Sequence, residues 1–398
     1  NMKWGYGITG TVPTTMGNMI SLQSLLLDYT SLSGTIPTEI GQLSKLTILS
    51  MTVCRLITGV IPTEMGNLDK LKSLILTQSH VSGPFPNELG GMTALTYLLL
   101  ESTDLTGTIP SSLGSLTNLV SFLCANLGLT GTIPTTMGLM SSLKNLNMFS
   151  NKLIGDFPTS LGSLSALLYL TIYSTSIGGT IPTQYCALTS LIAINMQGNS
   201  LTGTFPSCFG SMLNMDSMNV ASNSLTGPLP TSLGTLTKMR SLYLSSNSFT
   251  GSIPTELTLN IKLMWFSISS NSLTGVVPME LCSMTSLYNV AISNNPGIVC
   301  YHSCMNDIRI FGSYNVDECS ASPTPAPTNP TGAPSGQPTC VPSCQPSIPT
   351  GQPTGQPSSV PTITRPTSSP SVVPTSGPTT IPTGVPYCKS HSHWLLFY

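Results

Sequence analysis

Cysteine is the residue type whose number and spacing in this chain best support chemistry. There are eleven cysteines and four histidines among 398 residues. Cys186 is separated from Cys208 by the same length of chain that separates Cys282 from Cys304. A catalytic cysteine needs a histidine beside it, and the histidines are scattered along the sequence. The repeated spacing therefore predicts two disulfide bonds of one geometry, Cys186–Cys208 and Cys282–Cys304, each contributing on the order of 3 kcal/mol.

The other seven cysteines have three expected roles. Cys54 and Cys124 fall on the turn and core positions of the repeat described below, so we expect them to be free and buried. Cys300 and Cys319 remain to close a C-terminal cap. The candidates for covalent cross-links between subunits are three cysteines of the C-terminal tail: Cys340, Cys344 and Cys388.

The elements that position the paired cysteines are marked by a proline that returns with a period of about 24 residues. Ten of the eleven gaps between successive members are equal, and the gap from Pro37 to Pro62 is longer by one. A fixed period of this length indicates a stacked solenoid, in which each repeat contacts only its neighbours. The series consists of Pro13, Pro37, Pro62, Pro86, Pro110, Pro134, Pro158, Pro182, Pro206, Pro230, Pro254 and Pro278.

The residues before each proline repeat as well. The coil from Met239 to Pro254 reads M-x-x-L-x-L-x-x-N-x-F-x-G-x-I-P. This pattern resembles the leucine-rich repeat, and its ending resembles the plant-type extracellular class; the resemblance covers about residues 8–300. It implies an α/β solenoid, a right-handed superhelix with a concave parallel β-sheet. Independently, the alternating Leu242 and Leu244 predict a short strand with one face inward.

A recurring position in the coils is the asparagine at the turn after the strand, where an amide can bond backbone groups that the bend leaves unpaired. Serine, threonine and cysteine replace an amide only in part. We therefore expect a less regular N-terminal half, worst near Cys54 and Leu127. The asparagine is kept at Asn151, Asn199, Asn223, Asn247, Asn271 and Asn295. It is replaced at Thr30, Cys54, Ser79, Thr103 and Thr175 and displaced at Leu127.

Composition excludes several classes of function. Only 7% of the residues are charged and the net charge is -1, so the sequence predicts no binding to nucleic acid. No apolar run reaches the roughly 18 residues that a transmembrane helix needs, so we expect no such helix in this chain. The many cysteines favour an oxidising setting, and we expect a secreted, extracellular or cell-surface protein. We expect no cofactor and no metal site.

The composition changes near Ser320. Residues 323–386 hold 18 prolines, most followed by Ser or Thr, which predicts an extended polyproline II-like tail. The tail resembles proline-rich tails of secreted proteins from heterokont algae and water moulds. It is typical of an O-glycosylated stalk, with a plain flexible linker as the alternative. Candidate O-glycosylation sites are Thr331, Ser335, Thr339, Ser343, Ser347, Thr350, Thr354, Ser358, Thr362, Thr367, Ser371, Thr375, Thr379 and Thr383.

The chain thus divides into four parts. They are a solenoid at residues 1–299, a cysteine-rich cap at 300–322, the tail at 323–386 and a C-terminal segment at 387–398.

The outward strand positions form the concave surface, where aromatic side chains stand among amides and hydroxyls. Such a surface suits sugar rings or an extended peptide, with an ordinary solvated sheet face as the alternative. Only Asp28 and Glu101 are acidic there, and no base is near them, so we expect no enzyme. The candidate binding residues are Tyr97, Asn147, Phe149, Tyr169, Tyr173, Asn195, Gln197, Tyr243 and Trp265.

These features support two hypotheses for function. The first is a structural subunit of an O-glycosylated extracellular or cell-surface fibre, whose partners are copies of itself, other extracellular proteins and O-linked glycans. The alternative is a recognition ectodomain, of receptor or inhibitor type, that binds a peptide or glycan on the concave face. A carbohydrate-acting enzyme lacks the acid and base that it would need.

Overall fold

The computed structural model of the chain describes residues 7–304 and 317–319. Within these residues one parallel sheet of twelve short strands runs along the solenoid. Each strand pairs with the equivalent strand of the next coil, as in the register Ser217↔Ser241. The strands are Ser24–Leu26, Ile48–Ser50, Ser73–Ile75, Tyr97–Leu99, Ser121–Leu123, Asn145–Asn147, Tyr169–Thr171, Ala193–Asn195, Ser217–Asn219, Ser241–Tyr243, Trp265–Ser267 and Asn289–Ala291.

The period of two within each strand places its middle residue in the core. Leu146, Met218 and Leu242, for example, are fully buried, whereas the residues on either side of them face outward. Methionine and leucine occupy these positions interchangeably, because the flexible thioether fills gaps of similar volume. The apolar side chains of successive coils form one continuous core along the described residues.

The opposite side of the described solenoid is built from twelve short 3-10 helices and contains no α-helix. Each begins directly after the periodic proline, whose fixed φ suits the position before the first helical residue. These segments are too short to form a stable α-helix with i→i−4 hydrogen bonds. The helices are Thr14–Asn18, Thr38–Gln42, Thr63–Asn67, Asn87–Gly91, Ser111–Ser115, Thr135–Leu139, Thr159–Ser163, Thr183–Ala187, Ser207–Ser211, Thr231–Thr235, Thr255–Leu259 and Met279–Ser283.

A second set of strands pairs between the asparagine turn and the proline. Its members form three separate parallel sheets within the described residues. They comprise Thr9–Thr11, Ser31–Thr35 and Leu56–Thr58; then Ser82–Pro84, Asp104–Thr108 and Gly128–Thr130; and finally Thr226–Pro228, Ser248–Gly251, Ser272–Val276, Gly297–Tyr301 and Asp317–Glu318.

A glycine in most 3-10 helices allows the coils to touch. A Cβ added to Gly210 would lie 2.5 Å from the carbonyl oxygen of Ser232 in the next coil. Cys186 occupies the position equivalent to Gly210 in its own 3-10 helix. Its side chain therefore points at Cys208 in the next coil. The predicted Cys186–Cys208 disulfide is confirmed, with the Cα atoms 5.7 Å apart. The spacing of the paired cysteines is therefore that of the contact between neighbouring coils.

The other predicted disulfides are also present. Cys282–Cys304 repeats the same geometry, with a Cα separation of 5.8 Å. Cys300 and Cys319 form a bond with a Cα separation of 4.9 Å next to the last paired strands.

The remaining cysteines divide by position. Cys54 and Cys124 are free and buried, as expected. Cys340, Cys344, Cys388, the tail and all the candidate O-glycosylation sites lie outside the described residues, so the cross-link and glycan expectations stay predictions.

The asparagine column confirms its expected role. The Nδ2 of Asn271 donates to the carbonyl oxygens of Leu244, Ile268 and Ser269 at 3.1, 3.0 and 3.2 Å. Its Oδ1 accepts the backbone N–H of Phe249 at 3.0 Å. One amide therefore satisfies four backbone groups in two neighbouring coils, and the pattern is repeated at Asn223, Asn247 and Asn295.

In the twelve-stranded sheet, the expectation of a less regular N-terminal half is wrong. The strands on either side of Cys54 and of Leu127 pair in an unbroken register. The hydroxyl of Ser79 donates to the Leu76 carbonyl at 2.7 Å, and that of Thr103 donates to Leu100 at 3.0 Å. A hydroxyl thus keeps the bond to the residue three positions earlier. That bond, together with the sheet itself, suffices to hold the turn.

Irregularity occurs in the second set of strands. Next to the coil of Cys54, only the isolated bridge Val60↔Ser82 joins two of its sheets. Between Asp156 and Thr226 only isolated bridges connect the coils on this side. In regular coils a hydroxyl such as that of Thr130 donates to the glycine carbonyl of the previous coil, here Gly107 at 3.3 Å. Ile154 and Gly178 occupy this position in two of the middle coils and have no hydroxyl. Thr202 and Thr226 keep the bond at 3.2 and 3.3 Å although their coils are joined only by isolated bridges, so the hydroxyl alone does not decide the pairing.

One core position holds a poorly satisfied polar group. Asn260 is fully buried in the column that holds Leu236 and Met284 in the neighbouring coils. Its Nδ2 donates to the Leu233 carbonyl at 3.0 Å, whereas its Oδ1 has no hydrogen-bond partner among the described residues. A buried acceptor that has no donor destabilises the fold by the full free energy of removing it from water.

Replacing this residue by a leucine is expected to stabilise the protein. Asn260→Leu removes the unpaired oxygen and restores the apolar column, and it should raise the free energy of unfolding by about 1–3 kcal/mol. Urea denaturation followed by circular dichroism measures the change. The matched control is Asn67→Leu, at an exposed position where Leu139 and Leu259 stand in other coils, and it should change stability by less than about 0.5 kcal/mol. A destabilised Asn260→Leu variant would contradict the prediction.

Candidate functional site

The candidate site is the outer surface of the twelve-stranded sheet. Each coil presents three outward positions: the first and last residues of the strand, and the residue two positions beyond it. We call these three rows the concave columns. Because the strands pair in register, residues in one column are separated by multiples of one strand spacing, about 4.8 Å.

Two exposed tyrosines in the first column stand on either side of two smaller side chains. Tyr97 is 45% exposed and Tyr169 is 39% exposed. They lie three strands apart, about 14 Å by the strand spacing. Between them Ser121 is buried, and Asn145 donates from Nδ2 to its Oγ at 2.8 Å. We call the surface of Tyr97, Ser121, Leu123, Asn145 and Tyr169 the tyrosine saddle.

A ring stack borders the saddle in the third column. The rings of Phe149 and Tyr173 are parallel within 5°, with their centroids 4.6 Å apart. This confirms that the two side chains share a column, but Phe149 is only 8% exposed. It packs against the ring of Tyr173 and offers little surface of its own. Burial also raises the pKa of Tyr173, so its phenol stays neutral.

The predicted amides are held in fixed positions. Asn147 donates from Nδ2 to Glu101 Oε1 at 3.1 Å, across the intervening coil. The Oδ1 of Asn195 accepts the backbone N–H of Gln197 at 3.1 Å. Gln197 in turn accepts through Oε1 from Asn219 Nδ2 at 2.9 Å. These bonds orient the amides, so the surface is organised before any ligand arrives.

The remaining two predicted residues form a separate group. Tyr243 and Trp265 lie on adjacent strands, three coils beyond Tyr169. Both are half-buried. Burial raises the pKa of Tyr243, and a hydrogen bond with Ser241 opposes this in part.

Some members of the site escape sequence reasoning. Ser121, Leu123, Asn145 and Asn219 are of ordinary type for a strand. The signal that could have identified them is their place in a concave column beside Tyr97, Tyr169 or Gln197.

Charged side chains are few in the concave columns of the described coils. Asp28 and Glu101 are the only charged residues in them. The carboxylate of Asp28 accepts the backbone N–H of Thr52 at 2.8 Å. Burial, and to a smaller extent Glu101, raises the pKa of the Cys124 thiol behind the sheet, so the thiol is not an activated nucleophile. Among the described residues no cluster of three His, Cys, Asp or Glu side chains could hold a metal ion.

Two leucine-rich repeat families match parts of the sequence. One matches residues 189–249, and the other matches residues 21–43, 94–116 and 142–164. No curated protein matches the chain significantly. In the described part of the chain no helix has the length and apolarity needed to cross a bilayer.

Solved structures support the same fold. A TDR receptor is 30% identical with a TM-score of 0.69, over 74% of this chain and 50% of that one. The Arabidopsis receptor kinase HAESA, in complex with the peptide hormone IDA and the co-receptor SERK1, is 27% identical with a TM-score of 0.63, over 74% of this chain and 52% of that one. A leucine-rich repeat protein of Leptospira interrogans is 27% identical with a TM-score of 0.63, over 75% of this chain and 74% of that one.

This chain spans about half the length of the two plant receptor structures. The repeated pattern, the in-register sheet and these likenesses agree. The chain therefore contains leucine-rich repeats, and its described residues fold as a leucine-rich repeat solenoid similar to plant receptor ectodomains.

Proposed function

We propose that this chain is a non-enzymatic, extracellular recognition protein that binds an extended ligand on its concave face. The observation that carries the proposal is the tyrosine saddle with the adjoining Phe149–Tyr173 stack. Exposed aromatic rings supply large contact areas at a low cost in conformational entropy. The hydrogen-bonded amides around them supply polar contacts of fixed direction. Such a surface binds by contact along its length and not by enclosure in a pocket.

The similar structures and the disulfides add support. The Arabidopsis receptor kinase HAESA, which resembles this chain in structure, is bound to a peptide hormone and a co-receptor. Three disulfides within the described residues fit an oxidising, extracellular setting. These observations favour recognition over the other hypothesis from the sequence, the O-glycosylated fibre subunit. The fibre hypothesis depends on residues 323–386, which lie outside the described residues, and stays a prediction.

The proposal is tested by placing a charge in the middle of the saddle. The whole chain is screened against a random peptide library and a panel of polysaccharides, and each binder is then measured against Leu123→Arg. Leu123 faces outward in the second column, on a strand that lies between those of Tyr97 and Tyr169. A long cation there should weaken binding by about a hundredfold, because it occupies the centre of the contact surface.

The matched control is Leu139→Arg. Leu139 is an exposed leucine at the end of a 3-10 helix on the opposite side of the described solenoid. This variant should bind as the unmodified chain does. Equal binding by Leu123→Arg and the unmodified chain, for every binder found, would refute a concave site.

A further inference from the structure

We infer that the ligand of the tyrosine saddle is an uncharged polysaccharide chain. This inference rests on the proposed function and narrows its ligand to one chemical class. It is carried by three properties of the described surface: the absence of cations from the concave columns, the spacing of the exposed rings, and the fixed amides and hydroxyls between them.

Charge is the first property. Within the described coils, the concave columns contain no lysine or arginine, and the one acid near the saddle, Glu101, accepts a hydrogen bond from Asn147. A peptide carboxylate or an acidic sugar seated here would lose water without gaining a cation, which is costly. Lys72 and Lys144 are exposed cations that precede their strands at the rim. The surface is therefore complementary to a ligand without charges.

Shape is the second property. Tyr97 and Tyr169 stand about 14 Å apart in one column, with the smaller Ser121 and Asn145 forming the floor between them. A chain laid along the column meets an aromatic ring at each end and polar groups in the middle. Aromatic faces attract the partly positive C–H groups of a sugar ring as well as excluding water from it.

Hydrogen-bonding capacity is the third property. A sugar presents hydroxyls that both donate and accept, and the Asn145 amide with the hydroxyls of the saddle does the same. A peptide in extended form would gain most from an open sheet edge, where its backbone could pair. The strands from Tyr97 to Asn195 are paired on both sides, so they offer side chains only. The side chains that remain, amides and hydroxyls among aromatic rings, can pair with the hydroxyls of a sugar.

The experiment is affinity gel electrophoresis of the whole chain. The gels contain a soluble neutral β-glucan, a soluble neutral mannan, polygalacturonate as an acidic polymer, or no polymer. At least one neutral polymer should retard the chain. Tyr97→Ala combined with Tyr169→Ala should weaken that binding by about tenfold or more, since each ring supplies a stacking contact. Added salt should leave the retardation unchanged, because no ion pair is involved.

Two controls separate this result from other causes. Tyr288→Ala removes a tyrosine of similar exposure that precedes its strand at the rim, outside the saddle, and should retain binding. Thermal unfolding verifies that each variant is folded. Replacing Lys72 and Lys144 by alanine should also leave the binding of a neutral polymer unchanged.

Four outcomes overturn the inference. Retardation by polygalacturonate alone, abolished by salt and by the lysine variants, would assign an acidic polymer at the rim. Retardation that persists in the double tyrosine variant would place the polysaccharide elsewhere. A peptide that binds and is lost on Leu123→Arg, with no neutral polymer bound, would retain the proposed function and refute the polysaccharide. Failure of every polymer and every peptide would refute both.

Discussion

Asn271→Ala is expected to lower the free energy of unfolding by about 4 kcal/mol, because each buried group left without a partner costs about 1–3 kcal/mol. The change removes three bonds from Nδ2 and one to Oδ1, and the affected carbonyls of Leu244 and Ile268 lie in a buried setting. The effect is measured by urea denaturation, with the midpoint and the slope fitted separately. Because Asn271 joins two coils, we also expect faster amide hydrogen exchange in both of them.

Two further variants serve as comparisons for Asn271→Ala. Asn118→Ala removes one amide hydrogen bond, from Nδ2 to the Thr93 carbonyl at 3.0 Å, at an exposed position, and should cost less than about 1 kcal/mol. Asn271→Thr should fall between the two alanine variants, since a hydroxyl keeps the bond that Thr103 makes to Leu100. A loss no larger in Asn271→Ala than in Asn118→Ala would mean that water satisfies the freed carbonyls.

The repeat could be predicted from the sequence because residues one period apart occupy equivalent positions in neighbouring coils of a solenoid. Any residue one period away from Leu242 meets the same environment, so the strand, the buried column and the paired cysteines follow from spacing alone. The irregular region could not be predicted in this way. Loss of the amide at Ser79 and Thr103 looked damaging, yet each hydroxyl keeps the bond to the third residue before it. The second set of strands is reduced to isolated bridges between Asp156 and Thr226, where Thr202 and Thr226 keep the hydroxyl bond that Ile154 and Gly178 lack.

The binding surface was predicted less completely than the fold. Alternation within a strand predicts which side chains point outward. The candidate binding residues between Tyr97 and Gln197 do point outward. Exposure depends as well on what stands at the same position of the neighbouring coil. Phe149 is covered because Tyr173 stacks on it, and Tyr97 is prominent because Ser121 beside it is small. Such relations between neighbours in a column become visible only when the coils are stacked.

Gly234→Ala is expected to destabilise the protein by about 3 kcal/mol or more, since overpacking costs about 1–3 kcal/mol where the neighbours can adjust and more where they cannot. A Cβ at this position would lie 2.1 Å from the carbonyl oxygen of Glu256 and 2.6 Å from its carbonyl carbon. These are backbone atoms of the next coil, so no side chain can rotate to relieve the clash. The helices Thr231–Thr235 and Thr255–Leu259 must separate instead, which loosens the packing around the buried Leu233 and Leu257.

Thr258→Ala is the matched control, because Thr258 stands in the same column one coil later and already has a Cβ. It loses one bond, from its hydroxyl to the Thr255 carbonyl at 2.7 Å at an exposed site, and should cost less than about 1 kcal/mol. Denaturant unfolding of both variants gives the comparison. If Gly234→Ala were as stable as Thr258→Ala, neighbouring coils could separate at little cost. Contact between coils would then no longer explain why Cys186 and Cys282 each find a partner at the same spacing along the chain.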